Sequence, residues 1–336
     1  MRNPDTRGQF QFIDLFAGIG GFKSALTALG GQSVFSSEWD KFARKTYEAW
    51  YGETPDDRDI RTVNPSSIPD HHVLCGGFPC QPFSIAGVSS RNALGRPHGF
   101  EDEKQGNLFF TVRDIAAEKR PKLLILENVK NLMRHDQGNT WRVIQEELEA
   151  IDYSIRAQVL SSAQFVPQRR ERIFIVAFDK NQVSTKKIDR FEFPILDPKK
   201  GPKLGSILEA RPNQKYMLSD GLWAYLQNYA EKHRQQGNGF GYGINDRSSR
   251  TRTMSARYYK DGSEILISQE GWKNPRKLTP AEAMKLMGFQ RRYAQFFGHK
   301  AGFPIVVSDT QAYKQFGNAV VPLVVEAVAD RALNVF

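Results

Sequence analysis

The chain has 336 residues, of which 40% are hydrophobic and 25% are charged, proportions that are ordinary for a globular protein with one large or two smaller domains. The formal net charge of +10 favours an anionic partner, and nucleic acid fits better than a membrane surface because the sequence shows no basic amphipathic anchor segment. Two cysteines, no hydrophobic signal segment and no apolar run of transmembrane length disfavour a secreted or membrane-spanning protein and predict a cytoplasmic one.

Residues 12–178 alternate short apolar runs with segments of helical periodicity. The apolar runs predict strands at 12–16, 34–36, 73–75, 123–126 and 173–178. The periodic segments predict helices at 22–29, 41–50, 108–119 and 140–151. This order is typical of an α/β fold with a doubly wound, mostly parallel sheet, and a C-terminal helix at 322–335 should pack back onto it.

The first predicted strand runs into a glycine turn at 16–21, where a nucleotide-like group can lie against the backbone and the start of the next helix. Lys23 stands where the dinucleotide fingerprint requires glycine, and no Walker lysine pattern is present, so NAD and ATP are disfavoured. Glu38 ends the second strand, where an acid receives ribose hydroxyls, and Trp39 offers a face to adenine. Asp59 is expected at the end of the third strand, in reach of an adenine amine. Together these residues predict an adenosine site.

Cys80 follows the strand at 73–75 and lies on a loop that Pro79 and Pro82 stiffen. A thiol held at a strand end suits nucleophilic attack, whereas Cys75 lies inside the apolar run and predicts an inert core thiol. Neither the C-x-x-C spacing nor the flanking histidines of a zinc site accompany Cys80, and the second cysteine of a zinc deaminase is missing. No metal site is predicted.

Two segments depart from the strand–helix rhythm. Residues 81–107 form a long connection rich in glycine, serine and charge, and its place directly after Cys80 predicts a lid. Residues 185–305 are basic, with a glycine–aromatic stretch at 237–243 and an arginine-rich stretch at 247–260. We therefore predict two domains, a catalytic one (1–184 plus 306–336) and a smaller target-recognition one (185–305).

A series of collinear motifs carries a resemblance to a known family. The motifs are DLFAGIGG (14–21), SEWD (37–40), GFPCQPFS (77–84), GNLFF (106–110), LENV (126–129), PQRRER (167–172), RKLTP (276–280) with MGF (287–289), and QAYKQFGN (311–318). On these motifs the chain resembles the bacterial DNA (cytosine-5) methyltransferases over nearly its whole length. The resemblance implies a Rossmann-like fold that binds S-adenosylmethionine.

The resemblance also implies roles for individual residues. It places the cofactor against Phe16, Gly18, Gly20, Glu38, Trp39, Asp59, Ile60, Leu108 and Asn318. It makes Cys80 the nucleophile and assigns Glu127, Arg170 and Arg172 to the catalytic set. Ala319 departs from the pattern, since relatives often have serine after the Gly-Asn pair.

The chemistry of cytosine explains why these residue types are needed. Carbon 5 is a poor nucleophile until a thiolate adds to C6, which suits Cys80. A carboxylic acid at N3 relieves the charge that then builds up, so we expect Glu127 to have a raised pKa. Arg170 and Arg172 are two apart, and we expect both to reach O2 and phosphates. The base must leave the duplex to reach the thiol.

The 237–266 region resembles the specificity region of Dcm-type enzymes, which methylate the inner cytosine of CCWGG or CCNGG sites. The predicted DNA contacts are Gln81, Ser84, Arg250, Arg252, Arg257, Tyr258 and Tyr259. The expected partner is double-stranded DNA, bound by a monomer, with a possible cognate restriction endonuclease that forms no stable complex. The alternatives are a tRNA cytosine-5 methyltransferase, a catalytically inactive DNA-binding relative, or an NAD oxidoreductase, which lacks its glycine fingerprint.

Overall fold

The computed structural model describes residues 9–79, 108–237, 241–289, 291–299 and 302–335. Its strands are β1 (Phe10–Leu15), β2 (Gly31–Ser37), β3 (Val73–Gly76), β4 (Leu123–Val129), β5 (Tyr153–Ser161), β6 (Glu171–Asp179), β7 (Ile244–Asn245) and β8 (Leu266–Ile267). Its longer helices are α1 (Gly21–Ala28), α2 (Lys41–Tyr51), α3 (Leu108–Lys119), α4 (Asn139–Ala150), α5 (Asp220–Gln235), α6 (Pro280–Leu286), α7 (Asp309–Asn318) and α8 (Pro322–Leu333). Short helical turns occur at Thr185–Ile188 and Arg291–Ala294.

Six strands form the main sheet in the order β2-β1-β3-β4-β6-β5. The pairs β1–β2, β1–β3 and β3–β4 are parallel, and β6 is antiparallel to both β4 and β5. The prediction of a doubly wound, mostly parallel α/β sheet is confirmed. The chain leaves β1 to one side for β2 and returns to the other side for β3, so the carboxyl end of β1 is the switch point where such sheets bind ligands.

Helices cover both faces of this sheet. Alternate residues of β1 and β4, such as Phe12 and Ile125, belong to the core that α1, α2 and α8 complete on one face. Their neighbours, such as Ile13 and Leu124, belong to the core that α3 and α4 complete on the other face. The central strands are therefore buried on both faces, which explains their continuous apolar sequences.

The predicted target-recognition domain (185–305), here called the recognition segment, packs partly in the main core and partly in a cluster of its own. Met254, Tyr258 and Leu278 join the same core cluster as α1 and α8. Leu218, Leu226 and Leu266 form a small cluster of their own, beside the two-stranded sheet β7–β8. The predicted boundaries between the two domains, after residues 184 and 305, therefore stay a prediction. Within the described ranges, no helix combines the length and the apolarity needed to cross a bilayer.

Asp14, next to the last residue of β1, is fully buried and is paired with Cys75 of β3. Burial raises the pKa of this carboxyl group to about 8, against the opposing effect of nearby Lys23. An acid whose pKa is higher in the folded than in the unfolded state binds more protons when folded. The free energy of unfolding should therefore fall as the pH rises from the unfolded pKa near 4 towards 8.

We predict that Asp14→Asn flattens this pH dependence, because asparagine fills the same volume and cannot ionise. Urea unfolding between about pH 5 and 8 should show a slope reduced by up to about 1.4 kcal/mol per pH unit, the effect of one proton. The matched control is Asp70→Asn, since this side chain is 95% exposed. Identical slopes in Asp14→Asn and the wild-type chain would contradict the prediction.

Candidate active site

A cleft of about 730 Å³ opens at the carboxyl ends of β1, β2 and β4 and is bordered by the end of α7. The predicted cofactor residues that line it are Phe16, Gly18, Glu38, Trp39, Asp59, Ile60, Leu108 and Asn318. The predicted catalytic residues Glu127, Arg170 and Arg172 line the same cleft. Residues from several of the sequence motifs, although scattered along the chain, thus meet at one place.

The glycine turn after β1 has a left-handed backbone at Phe16, Gly18 and Gly20. Gly18 leaves open space beside its α-carbon, and its φ of +57° would strain any larger residue. Gly20 corrects the prediction of a cofactor contact. It packs beneath Tyr51, where a side chain would overlap the Tyr51 ring, and its carbonyl accepts a hydrogen bond from the Tyr51 hydroxyl group. Its role is to let the turn close.

Glu38 lies directly after β2 and is fixed by two backbone donors. Its carboxylate accepts hydrogen bonds from the amides of Gly18 and Asp40, each at 2.8 Å. Burial raises the pKa of this carboxyl group, and these amide donors oppose the shift. Trp39 beside it is 69% exposed and lines the cleft, so its ring is accessible to a ligand there.

Asp59 lines the cleft, but not at a strand end as expected. The segment between α2 and β3 turns through 3-10 helices, and Asp59 caps the one at Ile60–Thr62. Its carboxylate accepts from the amide of Arg61 at 3.1 Å and forms an ion pair with the same side chain. Part of its acceptor capacity is therefore already used.

Glu127 and Arg172 are diagonal neighbours on the antiparallel pair β4–β6, since Glu127 is opposite Phe174 and Arg172 is opposite Val129. The Nε atom of Arg172 lies 3.1 Å from an oxygen of Glu127, and both side chains are largely buried. Burial raises the pKa of Glu127, while Arg172 and then Arg170 oppose that rise. The expected raised pKa is confirmed in direction, and a glutamic acid that holds a proton can donate it to a hydrogen-bond acceptor.

The segment after β3 is held against this pair. Gly77 lies so close that a side chain there would come within 3.3 Å of the Glu127 carboxylate. The amide group of Asn128 donates to the Phe78 carbonyl at 2.8 Å. Asn128 was missed as a functional residue, although it follows Glu127 in the LENV motif. Cys80 lies outside the described residues, as do Gln81, Ser84 and the predicted lid. The described residues 77–79, which lead to Cys80, begin beside Glu127.

Arg170 also lines the cleft, but backbone carbonyls take most of its guanidinium donors, so its predicted reach to O2 and phosphates stays a prediction. It is buried, and it donates to the carbonyls of Met254 at 3.0 Å and of Gly317 and Ala319 at 2.9 Å. Burial and the like charge of Arg172 lower its pKa to about 9, so it remains protonated at neutral pH. Arg170 joins β6 to the recognition segment and to the end of α7.

The predicted DNA contacts also separate into two groups. Arg250 donates to the carbonyls of Lys199, Gly201 and Pro202, so its guanidinium group holds a loop together. Tyr258 is fully buried, with its hydroxyl group donating to the Ile265 carbonyl at 2.7 Å and accepting from the Leu278 amide at 2.8 Å. The burial of Tyr258 corrects its prediction to a structural role. Arg250 is only half-buried, so its DNA contact stays a prediction. Arg252 and Arg257 are exposed, and Tyr259 is half-buried.

Comparison with known proteins gives the family. The family model described as C-5 cytosine-specific DNA methylase matches residues 10–334. The chain belongs to the C-5 cytosine-specific DNA methylase family. It is 46% identical to the Type II methyltransferase M.SsoII of Shigella sonnei, over 98% of this chain and 84% of that protein. It is 43% identical to a DNA-cytosine methyltransferase of Escherichia coli K12, over 95% of this chain and 76% of that protein.

Solved structures support the fold of this methylase. A Spodoptera frugiperda DNMT2 mutant superposes with a TM-score of 0.72 at 19% identity, over 96% of this chain and 99% of that one. A putative DNA modification methyltransferase from an Escherichia coli prophage gives a TM-score of 0.63 at 17% identity, over 97% of both chains. The α/β methyltransferase fold is shared although few residues are identical.

We predict that Arg170 and Arg172 act differently although they are two residues apart. Arg170→Met should lower the free energy of unfolding by about 2–5 kcal/mol, because it leaves buried carbonyls without a donor. Arg172→Met should cost much less, since the Glu127 carboxyl group can take up a proton when its ion pair is lost. Urea unfolding of both variants measures the difference. Equal losses, or a stable Arg170→Met protein, would refute the structural role of Arg170.

Proposed function

We propose that this methylase transfers a methyl group from S-adenosylmethionine to C5 of a flipped-out cytosine in a specific short site of duplex DNA. The observation that carries the proposal is the Glu127–Arg172 pair. It places an acid of raised pKa in the same cleft as the glycine turn and the exposed Trp39. An adenosine site and a proton donor that share one cleft suit methyl transfer to a nitrogen heterocycle.

The cleft residues fit S-adenosylmethionine. The cleft volume of about 730 Å³ lies within the range of small-molecule sites, about 300–1,000 Å³. Gly18 leaves room beside the backbone, Glu38 is oriented to accept from ribose hydroxyls, and Trp39 offers a ring face to adenine. The bound cofactor supplies an electrophilic methyl group.

The residues of the chain prepare the cytosine for that methyl group. The Cys80 thiolate forms a bond to C6, and the electron pair of the C5–C6 double bond shifts to C5 and, by conjugation, towards N3. Glu127 hydrogen-bonds to N3 and relieves the negative charge, while Arg172 orients Glu127 and can donate to O2. Carbon 5 takes the methyl group, and a base such as water then removes the C5 proton. The electron pair of that C–H bond reforms the double bond as the sulfur leaves C6 as a thiolate. Asn128 fixes the segment that leads to Cys80.

Duplex DNA is the substrate that the charge and the relatives favour. The net charge of +10 suits a polyanion, and the names of the relatives specify DNA-cytosine and type II methyltransferases. The resemblance to Dcm-type enzymes supports the inner cytosine of a CCWGG- or CCNGG-like site. We also infer a monomer that acts on DNA in the bacterial cytoplasm, with a restriction endonuclease as a possible counterpart.

We predict methyl transfer from tritiated S-adenosylmethionine to duplexes that carry CCWGG or CCNGG and none to tRNA. Glu127→Gln should reduce the single-turnover rate by on the order of 10²-fold, because glutamine cannot supply an acidic proton to N3. The matched control is Glu146→Gln, a surface residue paired with Arg142, which should keep the wild-type rate. Transfer to tRNA would favour the RNA alternative. DNA binding without any transfer would favour the inactive relative.

A further inference from the structure

A second concavity of about 440 Å³ lies beside the active-site cleft. Around the start of β6, successive residues line the two spaces alternately. Arg170 and Arg172 line the active-site cleft, and Arg169 and Glu171 line the second concavity. At the end of β4, Val129 lines the first and Lys130 the second. The backbones of these two strand ends thus separate the two spaces.

The charges in the second concavity are mostly positive. Four cationic side chains line it, as a surface for a DNA strand requires: Lys130, Arg169, Arg250 and Arg252. Of its two acidic residues, Glu171 is neutralised by Lys130 at 2.5 Å, and both of these side chains are well exposed. Glu264 is different because it is partly buried and is not paired with this lysine.

Glu264 is fixed in position by its neighbours. Its carboxylate accepts a hydrogen bond from the hydroxyl group of Ser255. The carbonyl of Ser255 packs directly against Gly317 at the end of α7, where a side chain would overlap it. Close to Glu264, a side chain at Gly243 would lie 3.8 Å from Nε of Arg252. A fixed acid and an exposed arginine therefore share one surface of the recognition segment.

A carboxylate in a groove that binds DNA repels the phosphates. We therefore expect it to accept a hydrogen bond from a donor group of the DNA. The donors that duplex DNA offers in the major groove are the amines of cytosine and adenine, and the usual partner of glutamate is cytosine N4. We propose that Glu264 determines specificity by accepting a hydrogen bond from N4 of a non-target cytosine in the recognition site, with Arg252 beside it available to guanine. This inference rests on the proposed DNA methyltransferase function.

The test combines a protein variant with a base analogue. Each non-target cytosine of the site is replaced in turn by 2-pyrimidinone, which lacks the exocyclic amine, and methyl transfer is measured with wild-type protein and Glu264→Met, since glutamine would keep an acceptor oxygen. At one position, removal of the amine should slow the wild-type protein by about tenfold or more, and the same removal should have little further effect on Glu264→Met. This variant should also relax discrimination at that base pair alone.

Glu171→Met is the matched control, since it removes an acid from the same concavity and should leave every analogue effect at its wild-type size. If Glu264→Met does not fold, Glu264→Asp enters the same comparison, because the shorter side chain cannot reach the same amine. Analogue effects in Glu264→Met that equal the wild-type effects at every cytosine would overturn the inference. Failure of the wild-type protein to methylate any duplex would instead overturn the proposed function.

Discussion

The guanidinium group of Arg170 joins three parts of the chain that meet at the cleft. Its donors bind the carbonyl of Met254 in the recognition segment and those of Gly317 and Ala319 at the end of α7. Arg170 itself precedes β6, which carries Arg172 towards Glu127. A planar cation with several fixed donors suits this position better than the single ammonium group of lysine. The relative positions of catalytic strand, cofactor cleft and recognition surface therefore depend on one buried side chain.

The chemistry of the cleft follows from where strands end. The glycine turn after β1 leaves room for an adenosine group, and Glu38 after β2 is held by backbone amides. The β4 strand supplies an acid whose pKa burial raises, together with Asn128, which holds the segment leading to the cysteine loop. Because these ends lie at one edge of the sheet, groups far apart in sequence meet in one cleft.

Periodicity predicted the parallel strands and the helices between them, because their apolar positions repeat with the period of each element. The edge strand β5 was missed, since most of its residues are only partly buried or exposed and carry no clear alternation. Residue type at predicted strand ends pointed to Glu38, Trp39 and Asp59, and the family resemblance added the other cleft residues. Neither showed where the hydrogen bonds of these residues go. The carbonyl acceptors of Arg170 lie 84, 147 and 149 residues away in the sequence, and no local pattern reports such contacts. For the same reason Tyr258 resembled a DNA contact in sequence although it is a core residue.

The central claim is that Cys80 attacks cytosine in a site assembled around Glu127 and Arg172. Its most direct test is mass spectrometry of the protein after incubation with S-adenosylmethionine and a duplex in which 5-fluorocytosine replaces the target base. Fluorine cannot leave C5 as a proton does, so the sulfur–C6 bond should persist. The account predicts a stable protein–DNA adduct that maps to the peptide containing Cys80. Methyl transfer to ordinary duplex DNA without a trapped adduct, or an adduct at Cys75, would contradict it.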